Sequence, residues 1–207
     1  TGGYPMDDQP EVGSDLVVNT WDILSGHVAP GKRVLLFDDA GDHAAMQAAE
    51  IIAASGAELE IMTPDRTFSA EIMGMNLVPY MRALQRPNVT FTPTYRLKSV
   101  ARDGGELLAR LTSDYVSPGK QDLDHERRID QVVVNYGITP MADVYFELKP
   151  HSRNGGEVNY DDLIAGHPQA VVRNPKGSFQ LFRIGDAVES RNTHAAIYDA
   201  LRLVKDI

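Results

Sequence analysis

The sequence contains no cysteine. Disulfides, thiolate nucleophiles, cysteine-held zinc and iron–sulfur clusters are therefore excluded within these 207 residues. There is no run of about 18 apolar residues, the length a bilayer-crossing helix needs, so no membrane partner is expected. No signal peptide precedes the first element, and the expected location is the cytoplasm. The first residue is Thr1 rather than Met, which fits either processing or a piece of something longer. Basic residues are outnumbered, 20 against 29, and the net charge of −9 repels phosphate backbones, so no nucleic-acid partner is expected. The sequence has no Gly-x-Ser-x-Gly, Walker or zinc motif. His27, His125, His151 and His167 stand in polar stretches with no partner at ligand spacing, and the lone Trp21 suits packing or an interface. No catalytic residue and no metal ligand is expected from the sequence.

What is present is ordinary globular material, 43% hydrophobic and 24% charged, enough for one or two domains. Strands and helices alternate. Leu16-Val17-Val18 suggests a short strand, and Thr20 to Leu24 a helical turn capped by Asn19 or Thr20. Val34 to Phe37 is a continuous apolar run of the buried parallel-strand type. A polar turn, Asp38-Asp39-Ala40-Gly41-Asp42, leads into a helical stripe of Ala45, Ala48, Ala49 and Ile52. Gly56 stands at the helix stop, and Leu59 to Met62 makes the next strand, completing a right-handed βαβ unit. A second helix is expected over Leu77, Tyr80, Met81 and Leu84, with Asn76 as cap and Pro79 in the first turn. Residues 88–111 are expected to form a small antiparallel meander: Val89 to Phe91, Tyr95 to Val100, an Asp103-Gly104-Gly105 turn, and Leu107 to Leu111. Polar residues 113–128 suggest a loop, Ile129 to Tyr136 a buried strand, and 140–175 a long irregular connection. A last strand over Phe179 to Ile184 and a final helix from Thr193 to Lys205 complete the pattern.

The glycine turn is a poor dinucleotide fingerprint. Such turns need glycines for the tight bend, for close approach of pyrophosphate and for helix packing. In Ala40-Gly41-Asp42-His43-Ala44-Ala45 a single glycine remains, and Asp42 stands where backbone should meet pyrophosphate. Asp38 and Asp39 add further negative charge. Thr63, at the end of the second strand, is not the acidic residue that would hold a ribose, and Arg66 is a lone loop arginine. The favoured reading is a Rossmann-like scaffold that does not bind nicotinamide nucleotide. Asp38, Asp39, Asp42 and His43 lack the calcium-loop pattern, and Asp42 reads more simply as a helix cap.

Three segments fall in a telling order: Thr1-Gly2-Gly3-Tyr4-Pro5, then Val132 through Gly137 to Pro140, then Ile184-Gly185-Asp186-Ala187 followed by Asn192 to Ile197. With the Asp-Asp-x-Gly central turn, this resembles the carboxy-terminal part of the trimethylamine dehydrogenase, 2,4-dienoyl-CoA reductase and NADH:flavin oxidoreductase family. Its methylated-amine demethylating members look most similar. The resemblance implies an α/β fold: a Rossmann-like three-layer sandwich with a parallel central sheet and a small antiparallel meander, plus part of a flavin-like nucleotide domain. By the same resemblance, 1–30 is a remnant of the flavin-like domain and a linker, 31–137 the NAD(P)-binding-like domain, and 138–207 the carboxy-terminal part of the flavin-like domain.

The function implied is the nucleotide-binding-like domain of an FMN and iron–sulfur dependent oxidoreductase acting on amines or related substrates. The catalytic barrel, the cluster cysteines and the first Gly-x-Gly-x-x-Gly unit are not in this sequence, so FMN and a 4Fe-4S cluster are expected only in a missing amino-terminal part. This chain alone is not expected to be catalytic. The alternative is a free-standing, non-catalytic nucleotide-binding or scaffold module. No cofactor is certain in this chain, and ADP or FAD in the flavin-like half is the one kept open. Gly185, Asp186 and the Thr193 helix start would then meet the pyrophosphate and ribityl region, and Thr1 and Gly2 the adenine side, with Gly41 in the central turn. An ordinary strand-end turn with a helix cap stands equally for Gly185-Asp186. The partners implied are the missing barrel region or a partner subunit, an electron-transfer flavoprotein, and a further copy of the chain.

Overall fold

In the computed structural model the described residues are 2–7, 9–116 and 125–204. They divide into two compact units, Pro5–Gly137 and Thr1–Tyr4 with Ile138–Ile207. The strand β1 (Gly3–Pro5) pairs with β10 (Ile138–Pro140).

In the larger unit, Ser14–Leu16 makes a 3-10 turn where a strand was expected, and β2 (Val18–Asn19) starts only after it. Asn19 then caps α1 (Thr20–Leu24) in a reciprocal box with Asp22. The apolar run becomes β3 (Arg33–Asp38), the alanine stripe α2 (His43–Ala54), and the next run β4 (Glu58–Thr63). After α3 (Gly74–Leu84) comes β5 (Val89–Pro93), then β6 (Arg96–Asp103), β7 (Glu106–Thr112), β8 (His125–Ile129) and β9 (Gln131–Asn135). The main sheet has the order β2-β9-β3-β4-β5, parallel throughout. Leu36 stands beside Ile61 on one side and Val133 on the other.

The expected meander is corrected at its first strand. Val89–Pro93 runs parallel to β4, with Phe91 beside Ile61, because α3 is a crossover and a crossover returns the chain in the same direction. The antiparallel sheet is β6-β7-β8. Its third strand lies in the stretch expected to be a polar loop. In β8 charged and polar residues alternate with half-buried ones, and Glu60 of β4 holds Arg127 at 2.8 Å, so the polarity there conceals a period of two. Residues 117–124, in the same expected loop, lie outside the described residues. The strand expected over 129–136 is likewise two strands, broken at Asp130, which accepts from the Arg33 amide. The helix cap expected at Asn76 is also displaced: α3 begins three residues earlier, behind Met73, without a side-chain cap, and Pro79 is interior.

Alternation along the apolar runs makes two cores. Val34, Leu36, Leu59, Ile61 and Val133 face the helices and pack on Ala45, Ala48, Ala49 and Ile52. Leu35, Phe37, Met62, Val132 and Val134 pack on Leu97, Val100, Ala109, Leu111 and Ile129 of the antiparallel sheet. The parallel sheet is thus the middle of three layers, covered by helices on one face and strands on the other.

In the smaller unit the connection expected to be irregular holds α4 (Asp143–Leu148) and α5 (Tyr160–Ala165), the latter capped by Asn159 and stopped by left-handed Gly166. The last strand expected, 179–184, is not a strand. It runs without strand pairing, and a side chain supplies part of what a neighbouring strand would. Asn154 donates from Nδ2 to the Leu181 carbonyl at 2.8 Å and accepts from the Leu181 amide at 2.8 Å. Polar groups fill this unit's interior: Ser152, Asn154 and Gln169 are buried, while Ala142 and Leu203 are the buried hydrophobic residues among those described. The final helix, α6 (Thr193–Val204), follows a 3-10 turn at Gly185–Ala187.

Candidate functional site

Strand order in the main sheet reverses between β3 and β9. The chain passes outward from β3 through β4 to β5, then returns to the other side of β3. In open α/β sheets this reversal, at the carboxyl ends of the strands, is where ligands bind. Here those ends are Asp38 and Asn135, paired side by side.

One polar network closes the place. Asn135 donates from Nδ2 to Asp38 Oδ1 at 3.0 Å and to Asp42 Oδ1 at 2.9 Å. Its carbonyl accepts the Asp39 and Ala40 amides at 2.9 and 3.2 Å. The Gly41 amide donates to Asp38 Oδ1 at 2.9 Å. Asp42 takes the Ala44 amide at 2.9 Å and so caps α2, as its position in the sequence predicts. The cap has a chemical consequence: a carboxylate of the chain itself lies where a phosphate would seek the first amides of the helix.

The outer side of the turn is also covered. Gly41 is left-handed, with φ of 68°. A side chain there would begin 3.1 Å from the Ala70 nitrogen, and the Glu71 amide donates to the Gly41 carbonyl at 3.1 Å. Close approach of backbone is the usual purpose of such a glycine, and the backbone that approaches is the loop after β4. Thr63 is buried and accepts from the Asp65 amide rather than facing a ribose, and Arg66 is exposed. The Ala44 amide and the open side of Gly41 are thus taken up by the chain's own groups.

Burial dominates the electrostatics. Asp38 is fully buried, and this pushes its carboxyl up to about 7, against the opposing hydrogen bonds from Gly41 and Asn135. Its Oδ2 has no hydrogen-bond partner among the described residues. Burial also raises Asp39, opposed by Arg96, which reaches it at 3.5 Å and holds Asp114 at 2.7 Å. The Tyr136 hydroxyl is raised first by burial and then by Asp39. Among the described residues no group of three or more His, Asp or Glu side chains could hold a metal ion.

Asn135 was missed from the sequence as a site residue. The available signal was a lone amide ending a buried run of three valines, the one polar group β9 could offer to the aspartate turn.

In the smaller unit, Gly185 is buried and left-handed at φ 56°, and a Cβ there would meet Ala196 of α6 at 3.1 Å. Gly185 and the start of the Thr193 helix are therefore brought together. Two nearby amides already have partners: Gly185 donates to Asp199 Oδ2 at 3.1 Å, and Asn192 accepts from Ala195 at 2.9 Å, which makes Asn192 the cap. Asp199 is also paired with Arg191. Asp186 is half-exposed in the turn, and Thr193 is exposed. Gly2 bonds at a different place, accepting the Met141 amide at 2.9 Å beside the β1–β10 pair. Thr1 lies outside the described residues. Arg183, two residues before Gly185, stacks over Tyr145 and Phe146 at 5.1 and 5.3 Å, a contact the sequence alone does not announce.

No family model matches the sequence. The whole chain aligns at 61% identity with a probable N-methylproline demethylase of Rhizobium meliloti. It aligns at 44% identity, again over its whole length, with an N,N-dimethylglycine/sarcosine dehydrogenase of Chromohalobacter salexigens. The chain spans 30% of the length of each of these relatives. Among solved structures it is similar to the 6-hydroxypseudooxynicotine amine oxidase of Pseudomonas geniculata N1, with a TM-score of 0.66 at 19% identity over 96% of this chain and 27% of that one. Histamine dehydrogenase of Rhizobium sp. 4-9 superposes with a TM-score of 0.64 at 18% identity, over 98% of this chain and 29% of that one. The resemblance drawn from the sequence, to part of the demethylating members of this group of enzymes, is borne out. So is the mixed α/β fold with its parallel central sheet and separate antiparallel sheet.

Proposed function

We propose that these residues are the nucleotide-domain part of a flavin-dependent oxidoreductase that oxidises and demethylates small methylated amines. The observation that carries this reading is the 61% identity, over the whole chain, to a probable N-methylproline demethylase. In such a reaction the N-methyl carbon loses two electrons, and hydrolysis of the oxidised carbon releases formaldehyde. That chemistry belongs to FMN and a 4Fe-4S cluster held elsewhere, since no residue here can ligate a cluster.

Within the reading, Pro5–Gly137 is a Rossmann-like scaffold that has lost nicotinamide binding. The Asp42 cap and the Ala70 contact support that, and they favour a protein electron acceptor such as an electron-transfer flavoprotein over NADH. The smaller unit is the part of the flavin-like domain that takes an ADP moiety. There the left-handed Gly185 turn and the half-exposed Asp186 are the groups that would face a diphosphate and a sugar hydroxyl. A free-standing module is less well supported, because Val144, Phe146, Ile164, Ile197 and Leu201 are exposed in a unit with few buried apolar residues.

The test is an assay of the full-length protein with N-methylproline, dimethylglycine and sarcosine, reading formaldehyde release. Release with any of them supports the reading, and none from a flavin-loaded protein overturns it. Calorimetric titration of the chain with ADP, FAD and NADPH then separates nucleotide binding from scaffold.

A further inference from the structure

The Asp38 carboxylate is fully buried, yet no part of the proposed chemistry uses it. It sits at the hub of the glycine turn: one oxygen takes the Gly41 amide and one hydrogen of the Asn135 amide, while the other oxygen has no partner among the described residues. The second hydrogen of that same Asn135 amide goes to Asp42, the cap of α2. Two carboxyl groups thus share one NH2 group, and each holds a different part of the turn.

We propose that Asp38, Asn135 and Asp42 form a proton-operated latch, in which a proton on Asp38 keeps the glycine turn shut and its loss opens the turn and frees the start of α2. With Asp38 neutral, Asn135 bridges one charge and one neutral acid. With Asp38 ionised, a buried charge with one unpartnered oxygen lies beside the Asp42 carboxylate, and admitting water to the turn is the available relief. Opening would break the bonds from Gly41, Asp39 and Ala40, and with them the seat of the loop at Glu71.

Among the described residues no cation is among the groups acting on Asp38. The charged side chain acting on Asp38 is Asp42, at the start of α2, and it disfavours ionisation. Strand β9 contributes the neutral Asn135, and Tyr136 follows it. The loop after β4 contributes the Ala70 and Glu71 amides to the turn, and Asp65 to the neighbourhood of Asp39. Arg96 of β6, the nearby cation, is committed to Asp39 and Asp114. Burial pushes Asp38 up to about 7, so the latch would work across neutral pH. The inference stands apart from the proposed substrate class and does not need it.

The experiment is carbon-13 NMR of the Asp38 carboxyl group in the full-length protein, with amide hydrogen exchange at Gly41 and Ala44, from pH 5 to 9. Exchange is corrected for its intrinsic base catalysis. The expected result is one titration near neutrality, with protection of both amides falling at least tenfold from pH 5 up to it and level above it. Asp38→Asn should hold protection constant over the range, and Asp42→Asn should move the midpoint to lower pH by removing the facing charge. A carboxyl that titrates near 4, or protection that does not change across its titration, overturns the latch.

Discussion

The Ala70 nitrogen lies 3.1 Å from the point where a side chain on Gly41 would begin. The glycine is kept, but its open side faces the chain's own loop, and its φ of 68° is one that L side chains rarely adopt. Gly41→Ala should therefore destabilise the larger unit by about 1–3 kcal/mol through strain in the left-handed region and displacement of the loop. Urea denaturation followed by circular dichroism measures this. An unchanged midpoint would mean that the loop does not seat on the turn.

Nicotinamide nucleotides should not bind the turn at micromolar concentration. Asp42 already satisfies the Ala44 amide, and Asp39 and Asp42 present carboxylates to an incoming diphosphate. Like charges at about 4 Å oppose each other by roughly 4 kcal/mol at a surface-like dielectric, against about 0.3–1 kcal/mol offered by the helix dipole. Calorimetry with NADH and NADPH checks this, and a micromolar dissociation constant would show the loop and cap to be displaceable.

Stability should fall as pH rises from about 4 to about 7, owing to Asp38. The folded form keeps this proton to about 7, while the unfolded chain releases it near 3.8. Between those values the folded state binds more protons, so raising the pH favours unfolding, and the effect is flat above 7. A shift of this size corresponds to roughly 4 kcal/mol at most, at about 1.4 kcal/mol per pH unit. The measurement is the difference between wild type and Asp38→Asn in urea at each pH, which cancels the other carboxylates. A difference that does not vary with pH would refute it.

Asn154→Ala should loosen the smaller unit. The buried side chain bonds the Leu181 carbonyl and amide and the Glu157 carbonyl, so its loss leaves backbone groups unpaired. About 1–3 kcal/mol is expected for each buried group left unsatisfied. Hydrogen exchange at Leu181 should rise sharply in the variant while amides of β3 and β9 keep their protection.

The purified chain should carry no flavin absorbance and no iron. The motivation is compositional, since the sequence has no cysteine and holds no barrel-like repeat of strands and helices. A stoichiometric yellow chromophore in the isolated chain would contradict this.

Much of the larger unit was legible in the amino-acid order because its signals are local. Four consecutive apolar residues at Val34–Phe37, a small-residue helical stripe and a left-handed Gly56 announce a βαβ unit without reference to the rest of the chain. Asp42 as a cap was likewise readable, and so was a cap at Asn19 or Thr20, of which the structure uses Asn19, since a cap is a bond to residues two or three positions on. Tertiary structure decided what depends on a distant partner. Whether Val89–Pro93 joins β4 or β6 is a question of which edge is free, and whether His125–Ile129 is a strand depends on β7 lying alongside to pair with it. The run 179–184 has strand-like residues, yet a strand needs a neighbour, and Asn154 supplies only one residue's worth of bonding. The site divides in the same way. The charge of the aspartate turn is plain in the sequence, but burial pushes the Asp38 carboxyl up against the opposing hydrogen bond from Asn135, 97 positions away, and only folding brings those together.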